Sequence, residues 1–395
     1  MRTLNATVSP LLLDAIDQLV EKEGLSHERL ARAVTKLSRL FTKERAELRR
    51  SYLEDPTSAA AYLKYFLPVN LSKIQVLLDE MPEDTFGKNQ RFAVLDLGSG
   101  PGTGGLAVLD WSHQHSKDMA DALSVVAVDI SPATLRCAES LWKSYCRAAG
   151  ITSATLQSRE ADLERALSGP FRGQIQQAGP YDIIILANCL NELSESIDTR
   201  TSLIATALSL LSPHGTMMIV EPALRETSRA LHRVRDRLLQ EKRCTVYSPC
   251  LHERNCPALI NPDDWCHEER AWDPPAAIRQ IDENVGFIKD ALKFSYLLLR
   301  KDGKTIVDRR PDMYRVVSEL REFKGEKRAW LCNEQGRQEV GRQDRLTSPQ
   351  NVAFDRWHRG AIVQIEKIVR KERGGKVSSL GRIERDATVR IIRPV

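Results

Sequence analysis

The chain has no apolar run approaching the roughly 18 residues a membrane-spanning helix needs, so no such span is expected. It opens without the basic start and apolar stretch of a secretory leader. Cysteine is scarce, 8 in 395 residues, far below the density of a disulfide scaffold. Thiols that cluster in such a chain point instead to a metal. With 42% hydrophobic residues the chain can bury a full core, and its length suggests two or three domains.

The most informative stretch is Val94–Gly104. An apolar strand runs into Asp96 and then a turn with Gly98, Gly100, Gly102 and Gly104. Glycines let backbone N–H groups approach a ligand where a side chain would collide. The spacing G-x-G-x-G straight after an acidic residue points away from a dinucleotide. It resembles the first motif of the class I S-adenosylmethionine-dependent methyltransferases, in which the loop wraps the methionine moiety.

The rest of such a site follows in order. Ser124–Asp129 is a buried-strand pattern ending in Asp129, placed to bond the ribose hydroxyls of a nucleoside cofactor. Ser131 and Pro132 then open a helix. Glu160–Asp162 ends a third strand, with Asp162 placed to meet the adenine amino group. Tyr181–Asn188 reads as a fourth strand, opening towards Asn191 and Glu192, and Thr216–Pro222 as a fifth. Strands alternating with helical patterns predict an α/β doubly wound sheet with its ligand at the carboxyl ends of the strands. The expected cofactor residues are Asp96, Gly98, Ser99, Gly100, Gly102, Asp129, Asp162 and Asn188. Asn191 and Glu192 are the catalytic candidates, with helix capping as their alternative role. The fourth strand lacks an Asn/Asp-Pro-Pro-Tyr/Phe motif and Cys189 lacks a preceding proline, so neither amino methylation of that style nor covalent attack on cytosine is supported. Whether methyl transfer occurs stays open.

A second constellation lies beyond the fifth strand. Cys250, Cys256 and Cys266 fall in one short, proline-containing window. A fourth ligand could come from Cys332, His252 or His267. All-thiolate ligation favours an iron–sulfur cluster, whereas two or three cysteines with histidine suit tetrahedral zinc. Cys137, Cys146 and Cys189 read as ordinary core thiols.

These residues together resemble the methyltransferase-like mitochondrial small-ribosomal-subunit assembly proteins and their bacterial relatives. The likeness runs over roughly residues 55–340. It is carried by Ala61–Pro68, Leu190–Leu193, Glu221–Pro222 with Arg233–Leu239, Pro249–Cys250, Cys256–Pro257, Trp265–His267 and Lys293–Leu297. Ala223 departs from the glycine usual after Glu-Pro. The resemblance implies that Cys250, Cys256, Cys266 and Cys332 hold a four-iron four-sulfur cluster. It also implies S-adenosylmethionine as cofactor, and the small ribosomal subunit with its rRNA as partner. Neither a membrane nor DNA is expected as partner.

The expected organisation is a helical N-terminal region at 1–85, a methyltransferase-like domain at 86–310 with a cysteine-rich metal-binding insertion at 244–275, and a small β-rich domain at 311–395. The last of these carries 19 Lys and Arg against 12 Asp and Glu, a net +7 in a chain of +5 overall. Its alternating segments at 315–320, 360–365 and 387–392 suggest a small barrel, and its charge suits RNA phosphates. Trp330, Trp357 and His358 are candidate base-stacking residues, with core packing as the alternative. Early acidic residues and few arginines differ from a transit peptide, so a bacterial cytoplasm is expected ahead of a mitochondrial matrix.

Overall fold

The computed structural model describes residues 7–47, 52–86, 91–167, 170–373 and 375–394. The chain divides into two compact units, one of residues 1–224 and 271–292, the other of 225–270 and 293–395.

The first unit begins with helices. α1 (Pro10–Glu21) starts where the Ser9 hydroxyl accepts from the Leu12 amide, with Pro10 at the first helical position. α2 (His27–Thr42) is capped by Ser26 in the same way. α3 (Pro56–Ala61) and α4 (Leu67–Leu78) flank one π-helical turn at Tyr62–Phe66. Pro68 explains the turn: it has no N–H to donate, so the ladder widens and Leu67 N–H reaches back to the Tyr62 carbonyl.

Five parallel strands follow: β1 (Phe92–Leu97), β2 (Leu123–Asp129), β3 (Thr155–Glu160), β4 (Tyr181–Ala187) and β5 (Leu211–Pro222). Their order is β3-β2-β1-β4-β5. β1 is buried throughout and β2 and β4 nearly so, as the continuous apolar runs require when both faces are covered. Helices α5 (Thr103–His115), α6 (Lys117–Asp121), α7 (Pro132–Ala149), α8 (Leu163–Ala166), α9 (Pro170–Ala178) and α10 (Ile197–Leu208) lie between them. The order reverses between β1 and β4. That reversal opens a crevice at their carboxyl ends.

The second unit holds α11 (Arg225–Gln240), then β6 (Thr245–Ser248), β7 (Glu268–Ala271) and β8 (Ala291–Arg300), with β8 paired to both β6 and β7. A second sheet contains β9 (Met313–Val316), β10 (Arg321–Phe323), β11 (Glu326–Asn333), β12 (Gly336–Gln343), β13 (Ile362–Ile365), β14 (Val369–Arg373), β15 (Lys376–Arg382) and β16 (Val389–Arg393). Its order is β14-β15-β12-β11-β9-β13-β16, an open path rather than the closed barrel expected among these residues. Val316, Leu331, Val340, Phe354, Trp357 and Val363 form its core. Trp357 is 1% exposed against Phe354, so it is a core residue and is not presented for stacking. Among the described residues no helix is long and apolar enough to cross a membrane.

Candidate cofactor site and candidate metal centre

In the first unit the chain leaves β1 through Gly98, Gly100 and Gly102, all left-handed, with φ of 70°, 53° and 89°. A Cβ on Gly98 would stand 2.6 Å from the Cys189 Cβ, and one on Gly102 would stand 2.9 Å from the Ala138 Cβ. These two glycines are needed for packing. Gly100 differs, because a Cβ there would meet nothing within 4 Å. The loop thus presents left-handed backbone and open space at the switch point.

Asp96 lies 1% exposed, and its Oδ2 accepts from the Gly105 amide at 2.9 Å. Burial pushes its pKa up to about 7. Its carboxylate therefore anchors the first turn of α5. Asp129, at the end of β2, accepts from Gly100 N at 2.8 Å through one oxygen and from Ser131 N at 2.9 Å through the other. This joins the glycine loop to the start of α7. Asp162 caps α8, accepting from Glu164 N at 2.9 Å. Ser99 is buried, with a hydroxyl that has no hydrogen-bond partner in the structure.

After β4, Asn188 takes a left-handed φ of 59°, and its carbonyl accepts from the Asn191 amide at 3.1 Å. The Asn191 side-chain oxygen accepts from Arg45. Glu221 is buried, accepts from Leu190 N at 3.1 Å, and has its pKa raised to about 7 by burial. Glu192 and Asp129 lie close enough to Tyr52 and Tyr62 to add to the upward push that burial gives both phenols. The Tyr62 hydroxyl accepts from the Asn70 side chain at 3.3 Å. Tyr52, Tyr62 and Phe41 pack as neighbours, with ring centroids 5.3–6.4 Å apart. The N-terminal helical region therefore supplies Arg45, Tyr52 and Tyr62 to the surroundings of the loop, which the reading by strand ends missed. The Ala61–Pro68 motif was the available signal.

In the second unit the 249–267 segment between β6 and β7 carries Cys250, Cys256 and Cys266, and β11 contributes Cys332. The four line one cavity with His252, Glu268, Arg315 and Arg337, and none is in a disulfide. Burial, then the neighbouring Cys250, pushes the Cys266 thiol up to about 12. Burial and the other thiols push Cys256 and Cys332 upwards too. His252 Nε2 lies 3.7 Å from Cys332 Sγ.

α11 holds this segment in place. Arg235, 0% exposed, donates to the carbonyls of His252 at 2.6 Å and Arg254 at 2.8 Å. Asp236 accepts from Cys256 N at 2.9 Å. His232 lies 3.3 Å from the Cys266 carbonyl, which also accepts from Ser295 at 2.9 Å. Arg229, His232, Arg235 and Asp236 recur at helical spacing, so they share one face of α11.

The donor set suits a metal: four convergent thiols whose ionisation is costly unless a cation compensates. One tetrahedral zinc would hold its sulfurs about 3.8 Å apart, from a Zn–S bond of about 2.3 Å. No three of these thiols lie within 4.8 Å of one another. A cluster with one iron per cysteine spreads its ligands more widely.

Comparison with curated proteins gives no match. Among solved structures, an O-methyltransferase family protein from Burkholderia thailandensis is similar at 16% identity and a TM-score of 0.33, over 67% of this chain and 64% of that one. A SAM-dependent methyltransferase from Leishmania major is similar at 11% identity and a TM-score of 0.36, over 72% of this chain and 91% of that one. Scores this low do not bear on function. The family model described as mitochondrial small ribosomal subunit Rsm22 matches residues 56–344, and the chain belongs to that family.

Proposed function

We propose that the chain is an S-adenosylmethionine-binding, methyltransferase-like protein that works on or with the RNA of the small ribosomal subunit and carries a four-iron four-sulfur cluster. The observation that carries the cofactor reading is the open space over Gly100, at the switch point of a sheet ordered 3-2-1-4-5. Gly98, Ser99, Gly100 and Gly102 would receive the methionine moiety, and Asp129 the ribose hydroxyls. Asp162 and Asn188 are proposed at the adenine side. When bound, the cofactor supplies an electrophilic methyl group. The protein's own residues fix the loop, through Asp96 on α5 and Asp129 on the Gly100 amide.

Cys250, Cys256, Cys266 and Cys332 would hold the cluster, which would staple the 249–267 segment to β11. The all-thiolate donor set and the family resemblance support this over zinc. The family's description supports the small-subunit assignment; it names a mitochondrial subunit and so leans away from the bacterial cytoplasm expected from the sequence.

One observation favours a non-catalytic variant of this reading. Asn191 is engaged at both ends of its amide, by Arg45 and by the Asn188 carbonyl. An S-adenosylmethionine titration on the full chain, with co-sedimentation on small subunits at rising salt, tests the main reading. Saturable cofactor binding and particle binding that falls steeply with salt are expected. Absence of both contradicts it. Transfer of labelled methyl to small-subunit RNA separates the catalytic from the non-catalytic form.

A further inference from the structure

The loop outside the cysteine cavity is unusually well fixed for one that exposes a large apolar side chain. Arg229 of α11 donates to the carbonyls of Ala258 at 3.0 Å, Leu259 at 3.1 Å, Asn261 at 2.7 Å and Asp264 at 2.7 Å. Satisfying four carbonyls from one buried-side guanidinium leaves the loop little freedom. At its tip Ile260 is 85% exposed. A single exposed apolar side chain is ordinary on a protein surface; this one is set apart by the fixed loop that carries it and the groove it borders.

Beside Ile260 lies an open groove of about 570 Å³, bounded by Trp330, Asn261, Gln335 and Arg337. The Arg337 guanidinium carbon stands over the Trp330 ring, 5.3 Å from its centre, as a cation–π pair at the groove. Both carboxylates at the groove already face arginines. Asp264 accepts from Arg337, and Asp263 pairs with Arg225 at 2.9 Å. The groove is thus near neutral. It suits a planar, uncharged, hydrogen-bonding ring and does not suit a phosphate.

We propose that this groove holds one unstacked base of single-stranded RNA, stacked against the Trp330–Arg337 pair and bordered by Ile260, with Asn261 and Gln335 among its polar lining. This rests on the reading that the chain works with ribosomal RNA, and names a place where that RNA is gripped by a base. Stacking of this kind tolerates any base, so the site provides grip more than sequence selection.

The test compares short single-stranded RNA with an abasic ribose-phosphate strand of equal length, on the full metal-loaded chain. The parent is expected to bind the base-containing strand about tenfold more tightly. That preference should vanish in Trp330→Ala, survive in Trp330→Phe and shrink in Ile260→Ser, while the salt dependence stays the same in all. Ile260 stands on an exposed loop tip, so its variant keeps the test valid if Trp330→Ala fails to fold. An unchanged preference in both Trp330→Ala and Ile260→Ser overturns the proposal and places the bases elsewhere. Loss of a ribosomal protein from Ile260→Ser, with RNA preference intact, overturns it in favour of a protein partner. A parent that binds neither strand contradicts the RNA reading itself.

Discussion

The Arg235 guanidinium, buried in α11, donates to the carbonyl of His252 at 2.6 Å and so fixes the chain between Cys250 and Cys256. Its neighbour Asp236 holds the Cys256 amide at 2.9 Å, and the two side chains pair with each other at 2.5 Å. The positions of the proposed ligands are therefore set by a helix that contributes none of them.

Arg235→Met should consequently cost both fold and metal. Removing one partner of a buried pair leaves Asp236 and two carbonyls uncompensated, a loss of about 3 kcal/mol. Denaturant unfolding and iron content per chain check this. Full iron content with unchanged stability would remove Arg235 from the account.

The glycine loop makes a contrast between neighbours. Gly100→Val places a side chain in the open space and strains a left-handed residue by about 1 kcal/mol, so cofactor binding should be lost with only a modest fall in stability. Gly104→Ala puts a Cβ 2.5 Å from the Asp96 carboxylate and should mainly destabilise the protein. Asp129→Ala frees the Gly100 amide and should weaken cofactor binding by about 1–3 kcal/mol. Cofactor titration and thermal unfolding of the three variants separate these effects. Equal cofactor affinity in Gly100→Val and the parent would contradict the site.

Asp96 gives a pH signature. Its folded pKa of about 7 lies above the ordinary aspartate value of 3.8, so the folded state binds the proton more tightly than the unfolded chain. Its contribution is full below about pH 4 and is lost as pH rises towards 7. Relative to Asp96→Asn, the parent should therefore lose stability between about pH 4 and pH 7, the interval between the unfolded and folded values. A gap between the two that stays constant with pH would show that Asp96 is not held protonated.

Much of the first unit was legible because its physics is local. Ser9 and Ser131 announce helices, and the runs at Phe92–Leu97 and Tyr181–Ala187 can only be strands covered on both faces. Asp162 was harder: a strand-end acid and a helix cap look alike in sequence, and the structure shows the cap. Arg235 and Asp236 entered only as part of the Arg233–Leu239 likeness, and Arg229 not at all, because nothing local says that the 249–267 segment will fold over them. Trp357 illustrates the same limit in reverse, since only the second sheet buries it. Cys332 lies far along the chain from Cys250, so spacing left its partnership open with His252 and His267, and the family resemblance alone singled it out.

The most direct test of the account is the metal content of the chain purified without oxygen. We predict about four irons with matching acid-labile sulfide per chain and a brown, thiolate-to-iron absorbance. Cys250→Ser, Cys256→Ser, Cys266→Ser and Cys332→Ser should each lose the colour, while Cys146→Ser, in α7 of the other unit, should keep it. One zinc per chain with no iron, or iron that survives all four substitutions, would contradict it.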